Sequence, residues 1–367
     1  MLMSLESRPI FFPENFGFCA GVKAADDYMH NIEQVAHDSG INIIYGYHEL
    51  VHNDGVIQSH KDQGVVFVDS IYDIPDNSVI VTSAHGVGPE IVFALESAGS
   101  LVFDAICPLV KHTHNEVEMA RKNNEKVIYV CHGKPGEVKK LHDEVSGIVG
   151  RLDYVVKDGS LFYDPIERSY LELGDELDDN IFSTCTSEYR IISQTTLNAE
   201  ECLYLRERIK RYIKERQPDS VISSSAAGDV CRAVYDRQRG VKELVDRHLD
   251  RIVIATDKKS KNGMGYVSLA KQLISESGVT TDVYSVASAE EAAQLPETDG
   301  ATGLTASAST PDIVTFAIAK VLGMINMPII DRKSFIINGA KPKIIESKIA
   351  AHMDKRGKQS CPTRIKS

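Results

Sequence analysis

Phe16-Gly17-Phe18-Cys19-Ala20-Gly21-Val22 is one of three stretches built alike in this chain. The others are Asp104-Ala105-Ile106-Cys107-Pro108-Leu109-Val110 and Gly228-Asp229-Val230-Cys231-Arg232-Ala233-Val234. In each, a cysteine is followed three residues later by valine and then by a polar–apolar run of helical period. The repetition points to a unit used three times, each copy offering one thiol at a helix N-terminus. There the unsatisfied N–H groups and the helix dipole stabilise a thiolate, which suits metal ligation. Three thiolates are one fewer than the four that usually hold an iron–sulfur cluster, so such a centre keeps one position for chemistry. Zinc would need a fourth ligand or water, and the all-thiolate set favours iron–sulfur. Cys131, Cys185, Cys202 and Cys361 share no such setting and read as ordinary small apolar residues.

Working outward, apolar runs of strand length occur at 41–45, 65–68, 79–82, 101–104, 127–131, 190–193, 220–223, 251–255 and 281–284. Helical patterns lie between them at 22–39, 89–97, 112–123, 200–217, 232–247 and 266–277. Such alternation marks parallel α/β units. The expected fold is α/β, with three pseudo-threefold-related α/β domains around a central iron–sulfur cavity. The expected boundaries are 1–105 with Cys19, 106–227 with Cys107 and an insertion near 159–188, and 228–326 with Cys231. A basic extension, 327–367, follows.

The chain has 367 residues, enough for two or three domains. A net charge of -11 argues against a protein that coats nucleic acid or an acidic membrane surface. No apolar run approaches the ~20 residues of a membrane span. The N-terminus lacks the features of a secretory or transit segment, which makes the cytoplasm the expected location. Seven cysteines without a C-x-x-C pair speak against a disulfide framework and a paired-knuckle zinc site.

In parallel sheets, ligands gather outside the carboxyl ends of strands. The loops expected there carry polar groups: His52, His85, Glu137, Thr195, Ser260, Asn262 and Ser309. A carboxylate such as Glu137 can donate a proton. Ser260-Lys261-Asn262-Gly263 and Ser307-Ala308-Ser309-Thr310 open helices, whose N-termini suit phosphate oxygens. Neither G-x-G-x-x-G nor G-x-x-x-x-G-K-[ST] occurs, so nucleotide sites lack their usual fingerprints.

Taken together and in order, these segments resemble the LytB family, the 4-hydroxy-3-methylbut-2-enyl diphosphate reductases. The matching stretches are G-F-C-A-G-V at Cys19, E-L-V-H-N at His52, A-H-G-V at His85, C-P-L-V at Cys107, Glu137 with Val138, Q-T-T-L at Thr195, Cys231 with Arg237-Gln238, S-K-N before Gly263 and A-S-T-P-D at Ser309. The resemblance implies one cysteine from each of three α/β domains on a [4Fe–4S] cluster, namely Cys19, Cys107 and Cys231. It implies an iron left open to the substrate hydroxyl, which leaves as water after two electrons and two protons arrive. The electrons come from a ferredoxin or flavodoxin type donor, and the products are isopentenyl and dimethylallyl diphosphate. It implies that His52, His85, Ser260, Asn262 and Ser309 hold the substrate diphosphate, that Glu137 delivers a proton and that Thr195 positions the substrate. The family motif G-H-P-E-V is here K-P-G-E-V, with Pro135 at its histidine. Lys261 replaces a serine, Asp236 replaces an asparagine, and 159–188 is longer than the family pattern. Two other readings stay open at this point: a LytB-like paralogue reducing a different small anionic molecule, and a non-catalytic iron–sulfur sensor.

Overall fold

The computed structural model describes residues 9–130, 187–195, 199–224, 230–324, 337 and 340–359. Glu137, Pro135 and residues 159–186 of the expected insertion 159–188 lie outside the described residues, as do the expected boundary near 227 and the side chain of Lys261, while Glu188 already opens a strand. The described strands are β1 (Ile10–Phe11), β2 (Ile44–Tyr47), β3 (Val65–Val68), β4 (Val79–Thr82), β5 (Leu101–Phe103), β6 (Lys126–Val130), β7 (Glu188–Ser193), β8 (Val221–Ser224), β9 (Arg251–Ala255), β10 (Asp282–Val286) and β11 (Thr302–Ala306). The described helices are α1 (Ala20–Asp38), α2 (Asp54–Asp62), α3 (Pro89–Ser97), α4 (Pro108–Lys122), α5 (Ala199–Arg216), α6 (Arg232–Val245), α7 (Lys261–Ser277), α8 (Ala289–Ala292), α9 (Asp312–Val321) and α10 (Pro342–Gln359). The strands form three sheets, ordered β1-β11-β9-β10, β3-β2-β4-β5 and β6-β7-β8. Every described pairing is parallel. The α/β class with parallel sheets is therefore as expected. No described helix is long and apolar enough to cross a membrane.

The chain divides into two compact units. The first combines Met1–Ala20 with His112–Lys333, and the second combines Gly21–Lys111 with Ser334–Ser367. The second unit is built on the sheet β3-β2-β4-β5. Its inner strand β4 is buried on both faces, as helix-covered parallel strands are: Val79, Ile80, Val81 and Thr82 are each at most 2% exposed. Tyr28 from α1 meets Phe103 edge-on, with centroids 6.1 Å apart. α1 is also tied to α2 through His60, a fully buried residue whose ring nitrogens reach Glu33 and Asp26. Burial works against charge on His60, but those hydrogen bonds outweigh it and hold its pKa up to about 9.

The basic C-terminal stretch was expected as an appendage, yet α10 lies against β5. Ile345 and Ile349 on its inner face are fully buried. His352 Nε2 donates to the Asn77 carbonyl at 3.1 Å, and Lys348 lies 5.5 Å from the centroid of Phe103. The helix thus hides an apolar stripe and leaves Lys343, Lys348, Lys355 and Arg356 outward, the division an amphipathic helix makes.

The first unit holds the other two sheets. Val253, Ala255, Leu304 and Ala306 pack with Phe16 and α9, while Ile252 and Ile254 pack with α6 and α7. β11 was not anticipated. Its sequence, Thr-Gly-Leu-Thr-Ala, is short of bulky residues because the space is taken. A Cβ on Gly303 would come within 2.8 Å of Leu249. In the three-stranded sheet, Arg190 on β7 bridges Glu116 at 2.6 Å and both oxygens of Glu125 at 2.6 and 3.0 Å. All three residues are buried.

Candidate functional site

Each proposed ligand cysteine stands at the start of a helix. Cys19 immediately precedes α1, Cys107 precedes α4, and Cys231 caps α6. All three are half-buried thiols, whereas Cys202 is buried in the apolar core beside β7, as its ordinary reading required. Cys131, Cys185 and Cys361 lie outside the described residues.

In the first unit, hydrogen bonds hold the chain around Cys19 and Cys231. Gly17 and Cys19 donate their N–H groups to the carbonyls of Ala306 and Ala308, so the loop before α1 runs along the loop after β11. Gly17 has φ 65°, the left-handed region that glycine enters without cost. Arg237, one turn into α6 and 4% exposed, clamps the Gly17 carbonyl with Nε at 3.0 Å and Nη2 at 2.6 Å. One guanidinium therefore ties the helix that follows Cys231 to the loop that holds Cys19. Cys231 in turn donates its N–H to the Thr195 carbonyl at 2.7 Å, which brings the end of β7 to the same place. Thr195 is 4% exposed.

Burial pushes the Cys231 thiol up, and the charge of Cys19 pushes it further. The N–H groups of Val234 and Ala233 and the Arg237 guanidinium act the other way but do not win. A half-buried thiol whose charge is disfavoured beside a second sulfur is well suited to a bound cation, which reverses the balance by holding it as a thiolate. The donor set thus fits a thiolate-bound metal centre. Tyr266 on α7 belongs to this surrounding and was missed from the sequence. Its hydroxyl is fully buried, which raises its pKa, and it feels Arg237, Cys19 and Cys231. The only hint in the sequence is its spacing, one turn beyond Asn262.

The hydroxyl loops lie at the strand ends of the same unit. Ser260 caps α7, accepting from the Gly263 N–H at 3.2 Å. Ser307 Oγ lies 3.2 Å from Ser309 Oγ and 2.8 Å from Thr310 Oγ1. Thr310 donates to the carbonyl of Ala255, the last residue of β9. Asn262 is half-buried in the first turn of α7. α7 begins five residues earlier than its pattern suggested, because two glycines, Gly263 and Gly265, disguise its first turns. Gly263 is required there: a Cβ would collide with Thr256 and stand 3.0 Å from Ser307 Cβ. A Gly263→Ala variant is expected to lose about 1–3 kcal/mol by overpacking, read by denaturant unfolding. An unchanged midpoint would show that the start of α7 has room to move.

In the second unit, the two histidines expected at the diphosphate meet. The rings of His52 and His85 stack with centroids 4.8 Å apart and planes 24° from parallel. The loops after β2, β4 and β5 are laced together to make this pair. Ala84 donates to the Leu50 carbonyl at 3.1 Å, and Cys107 donates to the Ala84 carbonyl at 2.9 Å. Asn53 anchors the end of the first loop by capping α2 at Val56 N. Asp104 accepts from Thr82 Oγ1 and Ile106 N, which fixes the turn leading into Cys107. The structure thus places Cys19, Cys231, Thr195, Ser260, Asn262 and Ser309 in one unit and Cys107, His52 and His85 in the other.

The LytB protein family model matches residues 10–323. A 4-hydroxy-3-methylbut-2-enyl diphosphate reductase of Francisella tularensis subsp. novicida is 30% identical over 297 residues, covering 81% of this chain and 82% of that protein. The same-named protein of Francisella tularensis subsp. tularensis is also 30% identical, covering 81% and 83%. Among solved structures, the E-1-hydroxy-2-methyl-but-2-enyl-4-diphosphate reductase of Plasmodium falciparum superposes with a TM-score of 0.64 at 21% identity, over 96% of this chain and 99% of that one. A second reductase structure gives a TM-score of 0.56 at 24% identity, over 86% and 99%. Those two likenesses speak to the fold, and the family match covers all three cysteines and every described candidate residue. The chain belongs to the LytB protein family.

Proposed function

We propose that the chain is a 4-hydroxy-3-methylbut-2-enyl diphosphate reductase. It removes the allylic hydroxyl of that substrate with two electrons and two protons, releasing water with isopentenyl and dimethylallyl diphosphate. The observation that carries this reading is the stacked His52–His85 pair, laced by Ala84 to the loop that holds Cys107. The names of the Francisella relatives support it. Cys19, Cys107 and Cys231 ligate a [4Fe–4S] cluster, which when bound supplies the electrons and a Lewis-acidic iron. A ferredoxin or flavodoxin type protein delivers the electrons, and a reducing compartment such as the cytoplasm keeps the thiols available.

The chain's own residues bind and orient. Ring N–H groups of His52 and His85 and the hydroxyl and amide groups of Ser260, Asn262 and Ser309 hold the diphosphate. Anchoring that remote, highly charged end fixes the reacting end without adding bulk near it, so binding energy is available for the chemical step. Thr195 positions the substrate, and its place is secured because its carbonyl also receives the Cys231 N–H. Glu137 donates the proton that the departing hydroxyl needs. Pro135 stands where the family has histidine, which leaves Glu137 without that neighbour in the sequence.

A hydrogen bond to a charged group contributes roughly 1.5–3 kcal/mol, about 10- to 100-fold in affinity. Calorimetry with inorganic pyrophosphate should therefore show His52→Ala and His85→Ala each binding at least ~10-fold more weakly than the unaltered chain. Equal affinities would remove both histidines from the diphosphate site.

A further inference from the structure

A second cluster of metal-ligating side chains contains no cysteine. Asp26, His30 and Glu33 fall on one face of α1 at intervals of four and three residues. His60 reaches them from α2. Glu33 is 3% exposed and accepts from both imidazoles, from His60 Nδ1 at 2.6 Å and from His30 Nδ1 at 2.9 Å. With both Nδ1 atoms engaged there, the two Nε2 atoms face Asp26. His60 Nε2 is 3.1 Å from Asp26 Oδ1, and His30 Nε2 is 3.9 Å from it. One donor atom from each of Asp26, His30 and His60 lies within 4.8 Å of the others. The two rings are 4.6 Å apart.

We propose that Asp26, His30 and His60 bind a divalent cation of the zinc class, with Glu33 as the carboxylate that orients both histidines. Metal-bound imidazoles commonly donate their second N–H to a carboxylate, which fixes the tautomer and the ring direction. Here one carboxylate does this for two rings, and the cation takes the place of the proton that His60 Nε2 otherwise shares with Asp26, which is released on binding. Two nitrogens and one oxygen are a common three-residue zinc set, completed by water. Donor separations around such an ion are about 3.3 Å for bond lengths near 2.0–2.1 Å, so the widest separation, up to 4.8 Å, has to close by about 1.5 Å, shared between side chains of which His30 is half exposed. Asp26 and His30 give it an opening, their side chains being 19% and 48% exposed, while His60 and Glu33 form the closed floor. The ion would pin α2, whose cap Asn53 directly follows His52, to α1. It acts as a structural clamp on the helix behind a proposed substrate residue, not as a redox centre.

The test uses the full chain, purified without oxygen and dialysed against about 1 µM free Zn²⁺. Zinc per chain is measured by elemental analysis and its neighbours by X-ray absorption at the zinc edge. The expected result is one zinc per chain with nitrogen and oxygen neighbours, an imidazole signature and no sulfur. His60→Asn should abolish it with iron content unchanged. Because His60 is buried, His30→Ala and Asp26→Asn on the open side give the same reading in chains whose helices are undisturbed, each lowering zinc occupancy at least ~10-fold. No retained zinc, zinc bound by sulfur, or zinc undiminished in the His30→Ala chain would each overturn the proposal. None of these outcomes depends on turnover, so they leave the reductase reading standing or falling by its own tests.

Discussion

A Cys231→Ser chain purified without oxygen is expected to lose its iron and its reductase turnover while keeping its fold. The sulfur is the only part of Cys231 that the proposed cluster needs. Its backbone already serves the fold through the N–H donated to Thr195 and the carbonyl that accepts from Val234 and Tyr235. Changing a residue that merely orients a metal ligand costs roughly 10- to 100-fold, so losing a ligand costs at least about 100-fold in turnover. The same result is expected for Cys19→Ser and Cys107→Ser, and the opposite for Cys202→Ser, whose thiol bonds Ser193 Oγ at 2.9 Å inside the apolar core. Iron determination and anaerobic turnover check this together. A Cys231→Ser chain with full iron content and undiminished turnover would remove that residue from the centre.

Arg190→Met is expected to be strongly destabilising, costing about 3–5 kcal/mol. The side chain fits the space, but Glu116 and Glu125 would be left as carboxylates that are 11% and 10% exposed and have lost their cation. Ser223 Oγ, 3.0 Å from Glu125, is too weak a donor to replace it. The pH dependence carries a second signature. Burial raises the Glu125 pKa, but hydrogen bonds from Arg190, Asn123 and Ser223 outweigh this and hold it below the usual range. A depressed carboxylate contributes stability that is present above its unfolded pKa and is lost as pH falls through the folded one. The unaltered chain should therefore weaken on the acid side. Arg190→Met should weaken less steeply there, because protonation relieves its stranded carboxylates. Denaturant midpoints across pH 4 to 7 read both effects, and parallel curves for the two chains would contradict the assignment.

Much of this architecture could be read from periodicity because the helix-covered strands are nearly all apolar. The runs at 65–68, 79–82 and 251–255 and the helix at 89–97 coincide with β3, β4, β9 and α3. Where reading failed, packing was the cause. β11 is made of small residues because Leu244 and Leu249 crowd Gly303. α7 hides its start behind glycines that only the close approach of Thr256 explains. α2 shows little in the sequence beyond the cap signal in His52-Asn53-Asp54, and α10 reads as a tail because its charges outnumber its buried Ile345 and Ile349.

The site divides in the same way. The three cysteines stand out because their local setting repeats, whereas the loop histidines are marked only by the family resemblance. What binds those loops together was not legible, because it joins residues far apart in sequence. Arg237 reaches Gly17 across 220 positions, and Tyr266 draws its importance from burial beside Cys19 and Cys231. The His30–Glu33–His60 arrangement likewise exists only once α1 and α2 are packed.

Single turnover decides whether this chain is a reductase. Chain carrying its full complement of iron and sulfide, reduced by a strong chemical reductant under argon, is mixed with 4-hydroxy-3-methylbut-2-enyl diphosphate and quenched. The substrate should disappear as isopentenyl and dimethylallyl diphosphate both form, with reoxidation of the chromophore in step. Substrate recovered intact from fully loaded, fully reduced protein would contradict it.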